Sequence, residues 1–115
     1  MIYKKDSLDV TINEKMRGGE GSVVIEHLLD KDALYQKGRL CARVTLKPGC
    51  SIGFHHHENE MEMYYIIEGS AAYDDNGTQT RLATGDVAYT PDGCGHSIIN
   101  DQASDLIMLA LIIGV

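Results

Sequence analysis

With 17 acidic against ten basic side chains and a net charge of −7 over 115 residues, the chain lacks the basic patches that nucleic acid and anionic membrane surfaces reward. Its length fits a single domain over residues 1–115, its 43% hydrophobic content supplies one core, and no linker, repeat or low-complexity segment divides it. Three cysteines read as free thiols of a reducing compartment, MIYKKDSLDV has no signal-peptide core and LIMLALIIGV is too short to span a bilayer, so the cytoplasm is the expected location.

Residues 1–38 are expected to form N-terminal strands and a short helical turn, and 39–115 the core of a barrel. Weak alternation at Leu8, Val10 and Ile12 suggests an edge strand. MRGGEG, 16–21, is a turn or loop; no Gly-Lys-Ser/Thr and no helix signal follow it, so it is not a phosphate cradle. SVVIEHLL, 22–29, is a β-branched run that reads as a strand, with His27 a structural or surface residue. DKDALYQKG, 30–38, carries the one helical turn, with Asp30 as cap and Gly38 as stop. RLCARVTL, 39–46, alternates Leu40, Ala42, Val44 and Leu46 against Arg39, Cys41, Arg43 and Thr45, and Pro48-Gly49 is a turn signature.

The chemistry gathers in GCSIGFHHHENEMEMYYIIEG, 49–69. Strand alternation places His55 and His57 on one face, and Ile52, Phe54 and His56 on the other. Two imidazoles so spaced can converge on one ion. A turn at HENEM returns Glu62 beside them on a strand over 62–68, with Met63, Tyr65 and Ile67 on its opposite face. Glu58 and Glu60 fall in that turn, in solvent, and Glu60 replaces Glu62 if the turn is one step tighter. Asn76-Gly77 is a hairpin signal. TQTRL, VAYT, HSII and DLIMLALII complete a set of short strands, with His96 heading HSII after a Pro/Gly-rich turn. Many short strands and almost no helical period predict an all-β barrel or jelly roll.

Two stretches resemble the motifs of the cupin family. The pattern G-x5-H-x-H-x4-E-x6-G is met by Gly49, His55, His57, Glu62 and Gly69; G-x5-P-x-G-x2-H-x3-N is met by Gly85, Pro91, Gly93, His96 and Asn100. With their connection, 70–84, they span about half of the chain. The resemblance implies a double-stranded β-helix jelly-roll barrel and one ion inside it, near a mouth, held by His55, His57, Glu62 and His96. Three imidazoles and a carboxylate suit divalent Mn, Fe, Ni, Co, Cu or Zn. An octahedral ion so held keeps two adjacent positions for water or a small molecule.

Glu62, itself a ligand, and Tyr64, which shares its face, are the candidate catalytic side chains; Tyr89 and Arg43 are weaker guesses. His56 is expected outside the barrel. Cys94 is either a thiol at the site mouth or a buried inert residue, and Cys50 carries no distinguishing signal. Two readings of function follow. One is a metal-dependent enzyme on a small polar organic molecule, of oxygenase, decarboxylase, lyase or sugar-isomerase type. The other is a non-catalytic module that binds or senses a metal or small ligand. The outward apolar sets on the histidine strand and on 62–68, with a last strand apolar on both faces from Leu106 to Ile113, predict a homodimer packed through its sheet faces.

Overall fold

A computed structural model describes residues 1–114. Ten strands run in chain order: β1 (Val10–Glu14), β2 (Ser22–His27), β3 (Gly38–Leu46), β4 (Ser51–His56), β5 (Glu60–Glu68), β6 (Ser70–Asp75), β7 (Thr78–Ala83), β8 (Val87–Thr90), β9 (Gly95–Ile99) and β10 (Leu106–Gly114). Two short 3-10 turns, Lys5–Ser7 and Met16–Gly18, are the helical elements. Every strand pair is antiparallel, in a six-stranded sheet ordered β1-β2-β3-β10-β5-β8 and a four-stranded sheet ordered β4-β9-β6-β7. This is the expected double-stranded β-helix jelly roll. No helix among the described residues is long and apolar enough to cross a membrane.

The two sheets share one core. Val23, Val44, Leu46, Ile66, Leu106 and Met108 come from the larger sheet, and Ile52, Ala71, Tyr73 and Ile98 from the smaller. β10 lies between β3 and β5. It buries Leu106, Met108, Ala110 and Ile112 inward while Ile107, Leu109, Leu111 and Ile113 stay half-buried on the outer face, which is why it reads as apolar on both sides.

The motif glycines and Asn100 are architectural. Gly49, Gly69, Gly85 and Gly93 turn the chain at φ of 82°, 98°, 91° and 83°, a region that costs a side chain strain and glycine nothing. Asn100, fully buried, donates from Nδ2 to the Leu46 and Ser104 carbonyls and accepts at Oδ1 from the Gln102 N–H. Its own carbonyl accepts the Gly49 N–H at 2.8 Å, so the last residue of one motif ties down the first of the other. The Asn76-Gly77 turn forms as expected, both residues at positive φ between paired Asp75 and Thr78.

Three local expectations are corrected. β1 begins at Val10, leaving Leu8 outside it, and β5 begins at Glu60. Asp30 does cap its segment, accepting the Ala33 N–H at 2.8 Å. One helical turn follows, with the Leu34 N–H donating to the Asp30 carbonyl at 3.1 Å, but it goes no further because Tyr35 and Gln36 enter the left-handed region at φ of 55° and 61°, and Gly38 opens β3 instead of closing the turn. Ile52 points inward, 3% exposed. It pairs with Ile98 while His55 pairs with His96, so three residues of β4 span two of β9; this β-bulge reverses the alternation between Ile52 and His55. The outward apolar residues lie on both sheets, Phe54 on the smaller and Met63, Tyr65 and Ile67 on the larger.

Candidate metal centre

Antiparallel pairing sets His55 of β4 directly opposite His96 of β9. His57, just beyond β4, is fixed to the turn before β9 by two backbone bonds, donating to the Cys94 carbonyl at 3.0 Å and accepting from the Gly93 N–H at 2.7 Å. Glu62 comes from β5 in the facing sheet. The pleat that buries Tyr64 and Ile66 also turns Glu62 inward. Ligand atoms of His55, His57, Glu62 and His96 all lie within 4.8 Å of one another, and three of the four residues are buried. Nε2 of His57 stands 2.9 Å from Glu62 Oε1 and 3.1 Å from Nε2 of His96, which is itself 3.0 Å from that oxygen.

The outer nitrogens explain this orientation. Nδ1 of His55 lies 2.7 Å from the Gly53 carbonyl at the bulge. Nδ1 of His57 lies 2.7 Å from Glu60 Oε2. Both oxygens only accept, so each Nδ1 must carry the proton, and each Nε2 then offers its lone pair inward whenever the ring is neutral. Nδ1 of His96 meets the Tyr73 hydroxyl at 2.7 Å and Thr90 Oγ1 at 3.0 Å. Anchoring the far nitrogen in this way is how proteins orient metal-binding imidazoles. The donor set thus fits one small cation: three imidazole nitrogens and a carboxylate oxygen facing one point, with the opposite edges of all three rings held.

The electrostatics agree. Hydrogen bonding to Glu62, and then to Glu60, raises the His57 pKa against the opposing effect of burial. Burial pushes the Glu62 carboxyl upward, but the bonds from His57 and His96 outweigh it and leave its pKa below the usual value. Burial lowers the His55 pKa, so its neutral, lone-pair form is favoured.

Of the other residues singled out in the sequence, Tyr64 reaches the site: it is 3% exposed, and its ring stacks on His96 with centroids 4.9 Å apart. Burial first, and then the Glu62 charge, hold its hydroxyl protonated. Tyr89 is exposed, and Arg43 pairs outside the barrel with Glu26 at 2.9 Å. His27 meets Thr11 Oγ1 at 2.9 Å, away from the cluster. His56 is exposed and edge-on to Phe54, as expected for the outer face. Cys41, Cys50 and Cys94 are all half-buried free thiols, and Cys94 touches the site through its carbonyl.

Glu60 is a correction. It is not a solvated turn residue: its side chain is 17% exposed, bonded to His57 and clasped by Arg39 Nε and Nη2, each at 2.8 Å. The Arg39 guanidinium above all pulls its carboxyl down to about 2. Sequence reasoning missed this pair because Arg39 lies on the β3 face opposite its core residues and is 21 positions away. Tyr73 and Thr90 were legible in principle, as inward positions in step with Ala71 and Ala88.

Comparison with known proteins places these features among relatives. The family model described as Cupin domain matches residues 42–112. An oxalate-binding protein of Thermotoga maritima is 43% identical over 113 residues, 98% of this chain and 93% of that protein. An oxalate decarboxylase of Bacillus subtilis is 33% identical over 75 residues, 61% of this chain but only 20% of that protein. The crystal structure of a predicted oxalate decarboxylase from Thermotoga maritima superposes with a TM-score of 0.95 at 43% identity, over 100% of both chains. A putative sugar phosphate isomerase from Acidithiobacillus ferrooxidans is 25% identical, with a TM-score of 0.70 over 82% of this chain and 60% of that one.

Proposed function

We propose that this chain, which belongs to the cupin family, binds one divalent transition-metal ion through His55, His57, Glu62 and His96, and through that ion a small dicarboxylate of the oxalate type. The observation that carries the reading is the outward tethering of all three imidazoles, which leaves Nε2 atoms and a carboxylate oxygen converging in a buried place. Four protein ligands on an octahedral ion leave two neighbouring positions, and oxalate offers two oxygens at the matching bite. The name of the nearly full-length Thermotoga relative supports that ligand class.

Binding without turnover is the better supported activity. The acid nearest the cluster, Glu60, is occupied by Arg39 and His57. Tyr64 and Tyr73 both have pKa values pushed up, that of Tyr73 to about 12, far from the range that suits a general base at neutral pH. The second reading is decarboxylation, favoured by the likeness to the Bacillus enzyme over 75 residues; Glu62 and Tyr64 are then the residues beside the reacting ligand. Calorimetric titration of oxalate into protein loaded in turn with Mn, Fe, Co, Ni, Cu and Zn tests both. Metal-dependent binding with no formate or carbon dioxide released supports the binding module, and released product supports the enzyme. Oxalate binding that persists after the metal is stripped contradicts both.

The protein works as a homodimer in this reading. Leu109 and Leu111 of β10, with Tyr65 and Met63 paired beside them on β5, form an apolar surface at the centre of the larger sheet's outer face. Three free thiols support a reducing, cytoplasmic setting.

A further inference from the structure

The interior beside Glu62 holds a void of only about 20 Å³, room for a single water. Glu62 and Tyr64 line it from β5, Val44 from β3 and Ile52 from β4. Met16 also lines it and is the one wall residue that no strand carries. A molecule with two carboxylates does not fit, so a wall must move to admit one. Most of the other walls belong to β2, β3, β5 and β10, each hydrogen-bonded along both edges.

Met16 is differently held. It sits in the 3-10 turn Met16–Gly18, between Lys15 and Arg17, whose φ angles of 49° and 54° are unfavourable for residues with side chains; Gly18 follows at 81°. Beyond its own closing bonds, Gly18 N–H to the Lys15 carbonyl and Gly19 N–H to the Met16 carbonyl, the turn packs mainly on β4, with the Arg17 carbonyl against Gly53, and Asn13 Nδ2 donates to Met16 Sδ at 3.7 Å. Lys15, Arg17 and Gly18 are exposed, while Met16 packs inward against the core. Firm anchors lie at its flanks: the Lys15 N–H donates to the Gly21 carbonyl and the Ser51 N–H to the Glu20 carbonyl. The segment is therefore a strained strap lying on β4, with one apolar side chain in the wall of the chamber beside Glu62.

We propose that residues 15–19 gate the chamber and that Met16 sets the size of ligand that reaches the centre, an inference that rests on the metal-binding reading above. Opening swings the Met16 side chain out and relieves the left-handed backbone at Lys15 and Arg17. With Met16 displaced, the remaining walls around a bound dicarboxylate are largely apolar, which strengthens its attraction to the ion.

The test uses zinc-loaded wild type, Met16→Ala, Met16→Val and Met16→Leu, with thermal melts to report folding. Removal of zinc by excess pyridine-2,6-dicarboxylate reads access, and titration with oxalate and phenylmalonate reads ligand size. Met16→Ala is expected to speed removal at least tenfold and to gain phenylmalonate binding. Met16→Val should fall between, keeping the test open if the alanine variant fails to fold, and Met16→Leu should match wild type. Equal removal rates across folded variants that bind zinc and oxalate overturn the gate and leave the function standing. Graded removal rates without any oxalate binding overturn the ligand assignment and leave the gate. A wild-type chain that takes up no zinc overturns both.

Discussion

Glu60 Oε2 lies 2.7 Å from Nδ1 of His57 while Arg39 grips the same carboxylate through two nitrogens. An exposed arginine thereby fixes the ring of a buried histidine through one acid. Outer partners of this kind typically contribute roughly ten- to a hundredfold to metal affinity. Glu60→Ala is expected to weaken metal binding by about that factor, and Glu60→Gln, whose amide oxygen still accepts, by less. Arg39→Ala should fall between wild type and Glu60→Ala. Chelator-competition titrations measure all three, and an unchanged Glu60→Ala affinity would remove the pair from the centre.

The same carboxylate sets an acid limit. Its pKa is depressed from 4.5 to about 2 on folding, so the stability it contributes is fully present above about 4.5 and is lost as pH falls through about 2. His57 behaves oppositely without metal: its raised pKa gives a contribution that is full below 6.5 and fades as pH rises through the folded value. Metal binding needs the neutral ring and gains with pH. Calorimetry should therefore show the melting-temperature gap between metal-saturated and metal-free protein widening from pH 5 to pH 8. A gap that narrows would contradict the ligand role of His57.

Leu109 sits at the middle of β10 on the outer face, opposite Arg43 on one side and Tyr65 on the other. A carboxylate there would be desolvated in a dimer and harmless in a monomer. Light scattering should give twice the 12.6 kDa chain mass for wild type and the chain mass for Leu109→Asp, with the metal retained. A monomeric wild type at micromolar concentration would refute the dimer.

His56 and Asn100 separate architecture from chemistry. His56→Ala, which removes an exposed ring packed on Phe54, should leave metal stoichiometry unchanged. Asn100→Ala abandons three hydrogen bonds in a fully buried place. It should cost about 2–4 kcal/mol of unfolding free energy in denaturant melts, while the folded fraction still binds one ion.

Regular alternation and turn chemistry made most of this architecture readable in advance. The run from Leu40 to Leu46, the Asn76-Gly77 turn and the motif glycines each announce a local geometry that the fold uses. The convergence of His55, His57, Glu62 and His96 was legible because their motif spacing is carried by two facing sheets. What stayed hidden has a common cause: it depends on partners distant in sequence or on one-residue irregularities. The bulge at Gly53–Phe54 exists because β4 must keep register with β9 while Gly53 passes against the Arg17 carbonyl, where a side chain would collide. The Arg39–Glu60 pair needs β3 and the start of β5 to share an edge of the barrel mouth, and no local pattern records that.

The most direct measurement is an anomalous difference map from crystals of this protein soaked with zinc, collected on both sides of the metal edge. The account predicts one dominant peak, with His55, His57 and His96 each presenting Nε2 at roughly 2.0–2.1 Å and the Glu62 carboxylate at roughly 2.0–2.2 Å. No peak there, or a dominant peak ligated by other residues, would contradict it.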